Sequence, residues 1–273
     1  MRLDDYLRKI RVTATLDRTA NTLRRLHLAH RESFLFENLA IQRGGRISLA
    51  IPDLERKFLD EGGGGYCFEH NTLLAAVLGD LGFPRMSLLA RVRTGPPERW
   101  VRTHMVLRVQ IDDDPWLADV GFGGLGLLEP IPLRDRAVSD QGGARYALRR
   151  EGMTWVLSMR DRAGEKDLYE FTEDPQTVMD IEVANHYTST HPASMFRRTL
   201  TVQRTTRDER TIIRGGVIVR FRDGVSTEEP FDASRLRAVA WELFGIRLPV
   251  TPLVCELDTA VAGRGEEPPR SAV

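Results

Sequence analysis

Four consecutive glycines, Gly62 to Gly65, lead through Tyr66 into Cys67, and an apolar helical pattern starts directly behind them. A glycine run of this length cannot favour one regular element, because each residue is free to take conformations that others resist. The segment behind it is well determined. Phe68, Leu74, Val77, Leu78 and Leu81 keep helical register, and Gly82 and Pro84 end the segment. The chain must therefore bend through the glycines and deliver Cys67 to the start of a helix. Backbone N–H groups are unpaired there and the helix dipole is positive, which favours thiolate over thiol. Glycines in front of the sulfur also clear an approach, so Cys67 is expected to be accessible and ionised. Most free cysteines are inert packing residues, however, and a nucleophile needs a base and a group that orients the base.

The segments around this bend differ in texture. Upstream, Thr22 is placed to cap a helix carrying Leu23, Leu26, His27 and His30, and the stretch from Ile51 gathers Leu54, Phe58 and Leu59 on one face with Pro52 in its first turn. From Arg85 the chain turns to short β-rich runs, MSLLARVRT, HMVLRVQI, PWLADVGF and TWVLSMR, separated by turn clusters. TLTVQRTT and RTIIRGGVIVRF repeat the pattern later, before a last helix with Leu236, Val239, Ala240 and Leu243 on one stripe. The expected organisation is a helical unit over residues 1–84, a β-barrel-like unit over 85–190, and a unit mixing strands with a helix over 191–260. Residues 261–273 have too little apolar content to fold and are expected to be a disordered tail.

Composition limits the partners. The 273 residues carry 39 Lys plus Arg and 39 Asp plus Glu, so net charge gives no general attraction to nucleic acid or to an anionic membrane. Two cysteines, Cys67 and Cys255, do not make a secreted disulfide scaffold. The start, MRLDDYLRKIRV, has no apolar signal core, and no run reaches membrane-spanning length. A reducing cytoplasmic location is the default expectation.

Two residues downstream fit the roles that Cys67 requires. His104 opens the strand-like HMVLRV, where a side chain at a strand edge can face a cleft. Asp119 closes WLAD just before VGFGG, placed to accept a hydrogen bond from an imidazole. Alone, each reads as a surface histidine and a turn aspartate.

Together these segments carry a resemblance. GGGGYCFEHNTLLAAVLGDLGF, RTHMVLRV and PWLADVGFGG resemble the nucleophile, histidine and aspartate segments of arylamine N-acetyltransferases. LRRLHLAHRESFLFENLAI and NHYTSTHPASMFRRTLTVQR are similar to that family's upstream FENL region and to its entry into the last domain. The similarity runs in order from about residue 5 to 205. It implies an α+β multidomain fold: an N-terminal helical bundle, a central β-barrel and a C-terminal α/β lid, around a cysteine-protease-like triad core. It further implies Cys67 as nucleophile, His104 as base and acid, Asp119 as orienter, and the Phe68 amide as a candidate oxyanion donor. The implied reaction is ping-pong acetyl transfer through acetyl-Cys67 to an arylamine or hydrazine. Acetyl-CoA is then a co-substrate, with no permanently bound cofactor and no metal. Phe36, Val92 and Phe122 match positions lining the acceptor pocket, although Phe36 and Val92 read equally as core. Gly121, Gly123 and Gly124 match a glycine turn near the CoA pyrophosphate. Small-molecule substrates are the expected partners, without nucleic acid or membrane; a homo-oligomer is compatible with the sequence.

Three positions depart from the family pattern. Gly63 stands where an arginine usually pairs with the FENL glutamate, here Glu37. That leaves Arg43 or Arg46 as candidate partners, and an arginine restored at 63 is expected to stabilise the chain. His70 often appears as glutamine, and Leu35 replaces a proline. Other readings are an amide synthase on the same scaffold that closes polyketides into macrolactams, a cysteine hydrolase or transglutaminase-like enzyme, a non-enzymatic relative, and a zinc module using Cys67, His70 and His104. The last falls short of the four ligands a structural site wants.

Overall fold

The computed structural model describes residues 1–13 and 15–255, so the expected tail at 261–273 lies outside the described residues. Its centre is an eight-stranded antiparallel sheet that is nearly closed into a barrel. In spatial order the strands are Ile131–Pro132, Asp114–Ala118, Arg102–Ile111, Arg85–Val92, Gly164–Phe171, Thr154–Asp161, Ala144–Glu151 and Val138–Gln141. Arg102–Ile111 is buried on both faces from His104 to Leu107. Its odd residues Met105, Leu107 and Val109 share a core with Phe68, Leu74 and Val77 of the helix Cys67–Asp80. Val106 points the other way and packs with Leu88 and Leu117 inside the barrel. Alternation along this one strand thus sets the Cys67 helix against one face and places His104 on the other.

A second antiparallel sheet has the order Phe36–Glu37, Thr201–Thr205, Glu209–Arg214, Val217–Arg222, Val225–Pro230. Its first strand belongs to the N-terminal third: Phe36 pairs with Gln203 and Glu37 with Val202. The helix Leu236–Phe244 covers this sheet, with Val239, Ala240 and Phe244 in its core, and Gly245 ends it at φ 70°.

Several local expectations need correction. Thr19, not Thr22, caps the first long helix, Ala20–Ser33: its side chain accepts the Thr22 N–H at 3.2 Å. Thr22 is itself inside the helix and buried. The segment from Ile51 is α-helical only to Glu55 and continues as a π-helical turn, Arg56–Asp60. The helix Val178–Thr190 has no counterpart among the sequence-based expectations. Its capping box, Thr177 with Asp180, is written in the sequence, but exposed Val178, Met179 and Val183 blur the apolar period.

Candidate active site

Cys67 is the first residue of its helix, as the glycine run requires. Its Sγ lies 3.7 Å from the Thr103 carbonyl oxygen, and the amides of Phe68 and Met105 are directed at it. The sulfur therefore sits over the backbone that carries His104. His104 Nε2 is 2.8 Å from Asp119 Oδ2, and both residues are buried. Asp119 Oδ1 accepts from Asn71 Nδ2 and from the Gly121 N–H, each at 2.9 Å. Asn71, one turn beyond Cys67, also donates to the Met105 carbonyl at 2.7 Å and accepts from the Val120 N–H at 3.1 Å. Asn71 thus ties the nucleophile helix to both the histidine and the aspartate strands. With Nε2 held by the carboxylate, Nδ1 is the imidazole nitrogen left for other partners.

The carboxylate is held as an anion. Burial pushes Asp119 upward, but His104, Asn71 and the Gly121 amide outweigh it and bring the group down to about 2. Behind it, His27 Nε2 accepts the Asp119 N–H at 3.1 Å while Nδ1 donates to the Leu128 carbonyl at 2.8 Å. Burial holds His27 neutral, lowered to about 4.

The expectation for the thiol is overturned. Cys67 is only 2% exposed, and burial pushes its thiol well above the ordinary range, with the Asp119 charge adding to the effect. The Phe68 and Met105 amides pull downward and do not compensate. A helix start alone does not make a thiolate when the sulfur has lost its water.

The remaining positions separate into groups. The Phe122 ring lies 5.2 Å from His104, edge-on at 77°, and 5.1 Å from Tyr169. Tyr169, which no sequence signal singled out, is fully buried with its ring 5.1 Å from His104 and its hydroxyl within reach of the Asp119 carboxylate. Val92 is the cross-strand neighbour of Tyr169. Phe36 bridges to Gly65, two residues before Cys67, stacks on His70 at 6.0 Å and 8° and meets Phe196 at 6.0 Å. The glycine turn is tightly packed. A Cβ on Gly121 would come within 2.8 Å of Cys67 Cα, one on Gly123 within 2.6 Å of Gln203 Oε1, and one on Gly124 within 2.2 Å of Ile212 Cδ1. Backbone contact requires glycine at 121 and a φ of 85° favours it at 123, whereas at 124 the crowding atom is the end of the Ile212 side chain.

His70 is committed to structure. Its Nε2 is 3.1 Å from the Leu35 carbonyl oxygen, its Nδ1 is 2.8 Å from His30 Nε2, and His30 Nδ1 is 2.8 Å from the Tyr6 hydroxyl. Because the carbonyl can only accept, His70 donates to it, His30 donates to His70, and Tyr6 donates to His30. Burial keeps His70 neutral, lowered to about 3. Both of its nitrogens are occupied, so it has none for a metal. Among the described residues no group of three His, Cys, Asp or Glu is arranged to hold a metal ion.

The missing arginine has been replaced from another direction. Lys57, on the π-helical turn, puts Nζ 2.7 Å from Glu69 Oε1 and 3.6 Å from Glu37 Oε1, and both carboxylates are buried. Arg43 and Arg46, the partners expected for Glu37, are exposed. Glu69 Oε2 accepts the Tyr66 N–H at 3.1 Å, so the lysine steadies the cap of the Cys67 helix. Burial lowers the Lys57 ammonium, but Glu37 and Glu69 outweigh it and leave it raised. An arginine at 63 would enter occupied space, since a Cβ there lies 3.1 Å from the Lys57 carbonyl oxygen and 3.3 Å from its Cγ. Gly63→Arg alone should therefore leave the melting temperature unchanged or lower it. Lys57→Ala should cost about 3 kcal/mol or more in denaturant unfolding, because it strands two buried carboxylates. Adding Gly63→Arg to Lys57→Ala should recover at least about half of that loss. A double variant no more stable than Lys57→Ala would show that the two cation positions are not equivalent.

Comparison with known proteins shows which family the whole chain is similar to. A family profile described as N-acetyltransferase matches residues 19–254. The arylamine N-acetyltransferase of Mycolicibacterium smegmatis is 36% identical over 255 residues, covering 91% of this chain and 93% of that protein. A solved M. smegmatis arylamine N-acetyltransferase structure superposes with a TM-score of 0.86 at 35% identity, covering 96% of this chain and 98% of that one. The Mycobacterium marinum arylamine N-acetyltransferase in complex with CoA gives 0.84 at 33% identity, covering 89% and 92%.

Proposed function

From a chain that belongs to the arylamine N-acetyltransferase family, we propose a ping-pong transfer of acetyl from acetyl-CoA to arylamines and hydrazines through acetyl-Cys67. The observation that carries this reading is the buried Cys67, His104 and Asp119 set, tied together by Asn71. Burial prevents the thiol from losing its proton to water, so the proton passes to His104 Nδ1 while Asp119 balances the imidazolium at Nε2. The thiolate–imidazolium pair is neutral overall and tolerates burial better than a lone thiolate. Sulfur then attacks the acetyl carbonyl, and the Phe68 amide is proposed to donate to the oxyanion, with Met105 as a second donor. The CoA thiolate leaves and takes the His104 proton. The amine attacks the thioester, gives a proton to His104, and the Cys67 sulfur departs and recovers it.

Phe122 and Val92, beside His104 and Tyr169, are proposed to wall the acceptor site; the roles of Phe36 there and of Gly121, Gly123 and Gly124 toward CoA rest on the family resemblance. The same holds for the division at about 84 and 190 into bundle, barrel and lid. No helix among the described residues is long and apolar enough to cross a membrane, and a cytoplasmic location is proposed with the enzyme role.

Acetyl-CoA without amine should leave one acetyl group on the Cys67 peptide, read by mass spectrometry, and an arylamine should discharge it as the N-acetyl product. An adduct formed only from carrier-bound or long-chain thioesters would instead identify an amide synthase. The proton path has its own test. In His104→Asn, iodoacetamide should label Cys67 along a titration above that of a free cysteine, because burial is then uncompensated. A profile unchanged from wild type would remove His104 from the proton path.

A further inference from the structure

The proposed chemistry leaves two buried cations unused. Arg31, on the helix Ala20–Ser33, is 4% exposed, and Arg210, on the strand Glu209–Arg214, is 2% exposed. They converge on Thr205. Arg31 Nη2 donates to Thr205 Oγ1 at 3.2 Å and to the Gly123 carbonyl at 2.8 Å, and Arg210 is the cross-strand partner of Thr205. Burial lowers the Arg31 guanidinium to about 10, and the Arg210 charge pushes the same way. Arg31 Nε and Arg210 Nη1 and Nη2 are buried with no hydrogen-bond partner. Arg210 lies over the Phe221 ring at 5.0 Å, a contact that does not cancel its charge. Asp119, a carboxylate whose field reaches Arg31, is already committed to His104.

Two adjacent guanidinium groups in a dry interior are costly unless a counter-charge meets them, and arginine does not shed its proton to escape. A neutral group could occupy the free N–H donors but would leave both charges in place. We infer that Arg31 and Arg210 form a binding site for a small oxyanion of the phosphate or sulfate class, behind the Gly121–Gly124 turn. Forked, planar donors suit paired oxygens better than a single spherical ion.

A surface cleft reaches the backbone beside Arg210. A cleft of about 450 Å³ is bordered by Arg145, Arg160 and Arg162 together with Asp140, Asp161 and Asp223. Its rim is balanced in charge, so the rim itself does not select an anion. Gly142 forms part of the cleft wall, and a Cβ there would lie 3.4 Å from Arg210 Nη2. A glycine backbone is thus what stands between the cleft and the guanidinium. Such depth fits a free inorganic ion rather than a phosphate group carried on a nucleotide.

The test is thermal unfolding with inorganic phosphate varied from roughly 0.1 to 20 mM, ionic strength being held constant with sodium gluconate. Wild type should show a saturating rise in melting temperature of at least about 2 °C. Arg210→Met and Arg31→Met should each be flat. Equilibrium dialysis against labelled phosphate should find about one ion per wild-type chain, which decides the matter even if a variant fails to fold. A flat wild-type series, an equal rise in Arg210→Met, or no ion retained in dialysis would overturn the site. Displacement of the phosphate by 3′,5′-ADP or CoA at equal concentration would overturn the inorganic-ion assignment and give the site to a nucleotide. No step of the measurement uses acetyl transfer, so its outcome is independent of the proposed reaction.

Discussion

Cys67→Ser should abolish acetyl transfer, lowering turnover by roughly four orders of magnitude or more. The side chain changes little in size, and Asn71, His104 and Asp119 keep their mutual hydrogen bonds, so the fold should be retained. What is lost is an acid that His104 can deprotonate. Burial already pushes the thiol up, and in the proposed reaction its proton goes to the His104 imidazole that Asp119 supports. A serine hydroxyl is far less acidic, and the same imidazole cannot hold its proton long enough for attack on a thioester. The measurement is free CoA release with an arylamine present, beside mass spectrometry of the residue-67 peptide. Turnover within about tenfold of wild type would remove Cys67 from the reaction, since tenfold is only about 1.4 kcal/mol of barrier.

Asp119→Asn should cost roughly three to four orders of magnitude, by analogy with other triads, and the hydrogen bonds show why. Two donors, Asn71 Nδ2 and the Gly121 N–H, face the Oδ1 position at 2.9 Å each. An asparagine must present its carbonyl oxygen to them, which turns its NH₂ toward His104 Nε2. That nitrogen then becomes an acceptor and the imidazole proton moves to Nδ1, the nitrogen needed to take the thiol proton. The imidazolium also loses its counter-charge. Activity and the alkylation rate of Cys67 at neutral pH should fall together, while thermal unfolding stays cooperative. Loss of activity with alkylation unchanged would mean that Asp119 acts elsewhere in the cycle.

Local features in the sequence settled the parts of this protein that depend on neighbours along the chain. The glycine run and the apolar spacing behind it placed Cys67 on the first turn of a helix, and the helix is there from Cys67 to Asp80. HMVLRV and WLAD announced strands, because short β-rich apolar runs between turn clusters suit a sheet buried on both faces, and the two do pair. Elements whose outer face is apolar or whose strand is charged were illegible: Val178–Thr190 exposes valine and methionine, and Gly164–Phe171 begins with charged residues at a solvent-facing end. Lys57, Asn71, Tyr169 and the Arg31–Arg210 pair were invisible for a different reason. Each matters through a distance of a few ångströms to a residue remote in sequence, as with Arg31 and Thr205. Electrostatics divided in the same way. The helix start gave Cys67 one downward-pulling amide, that of Phe68, a local effect; tertiary packing added the Met105 amide but also removed the water around the sulfur, and desolvation outweighs both. Only the folded chain decided that a lysine from the π-helical turn at Arg56–Asp60 would hold Glu37, the carboxylate that an arginine at 63 was expected to meet, together with Glu69.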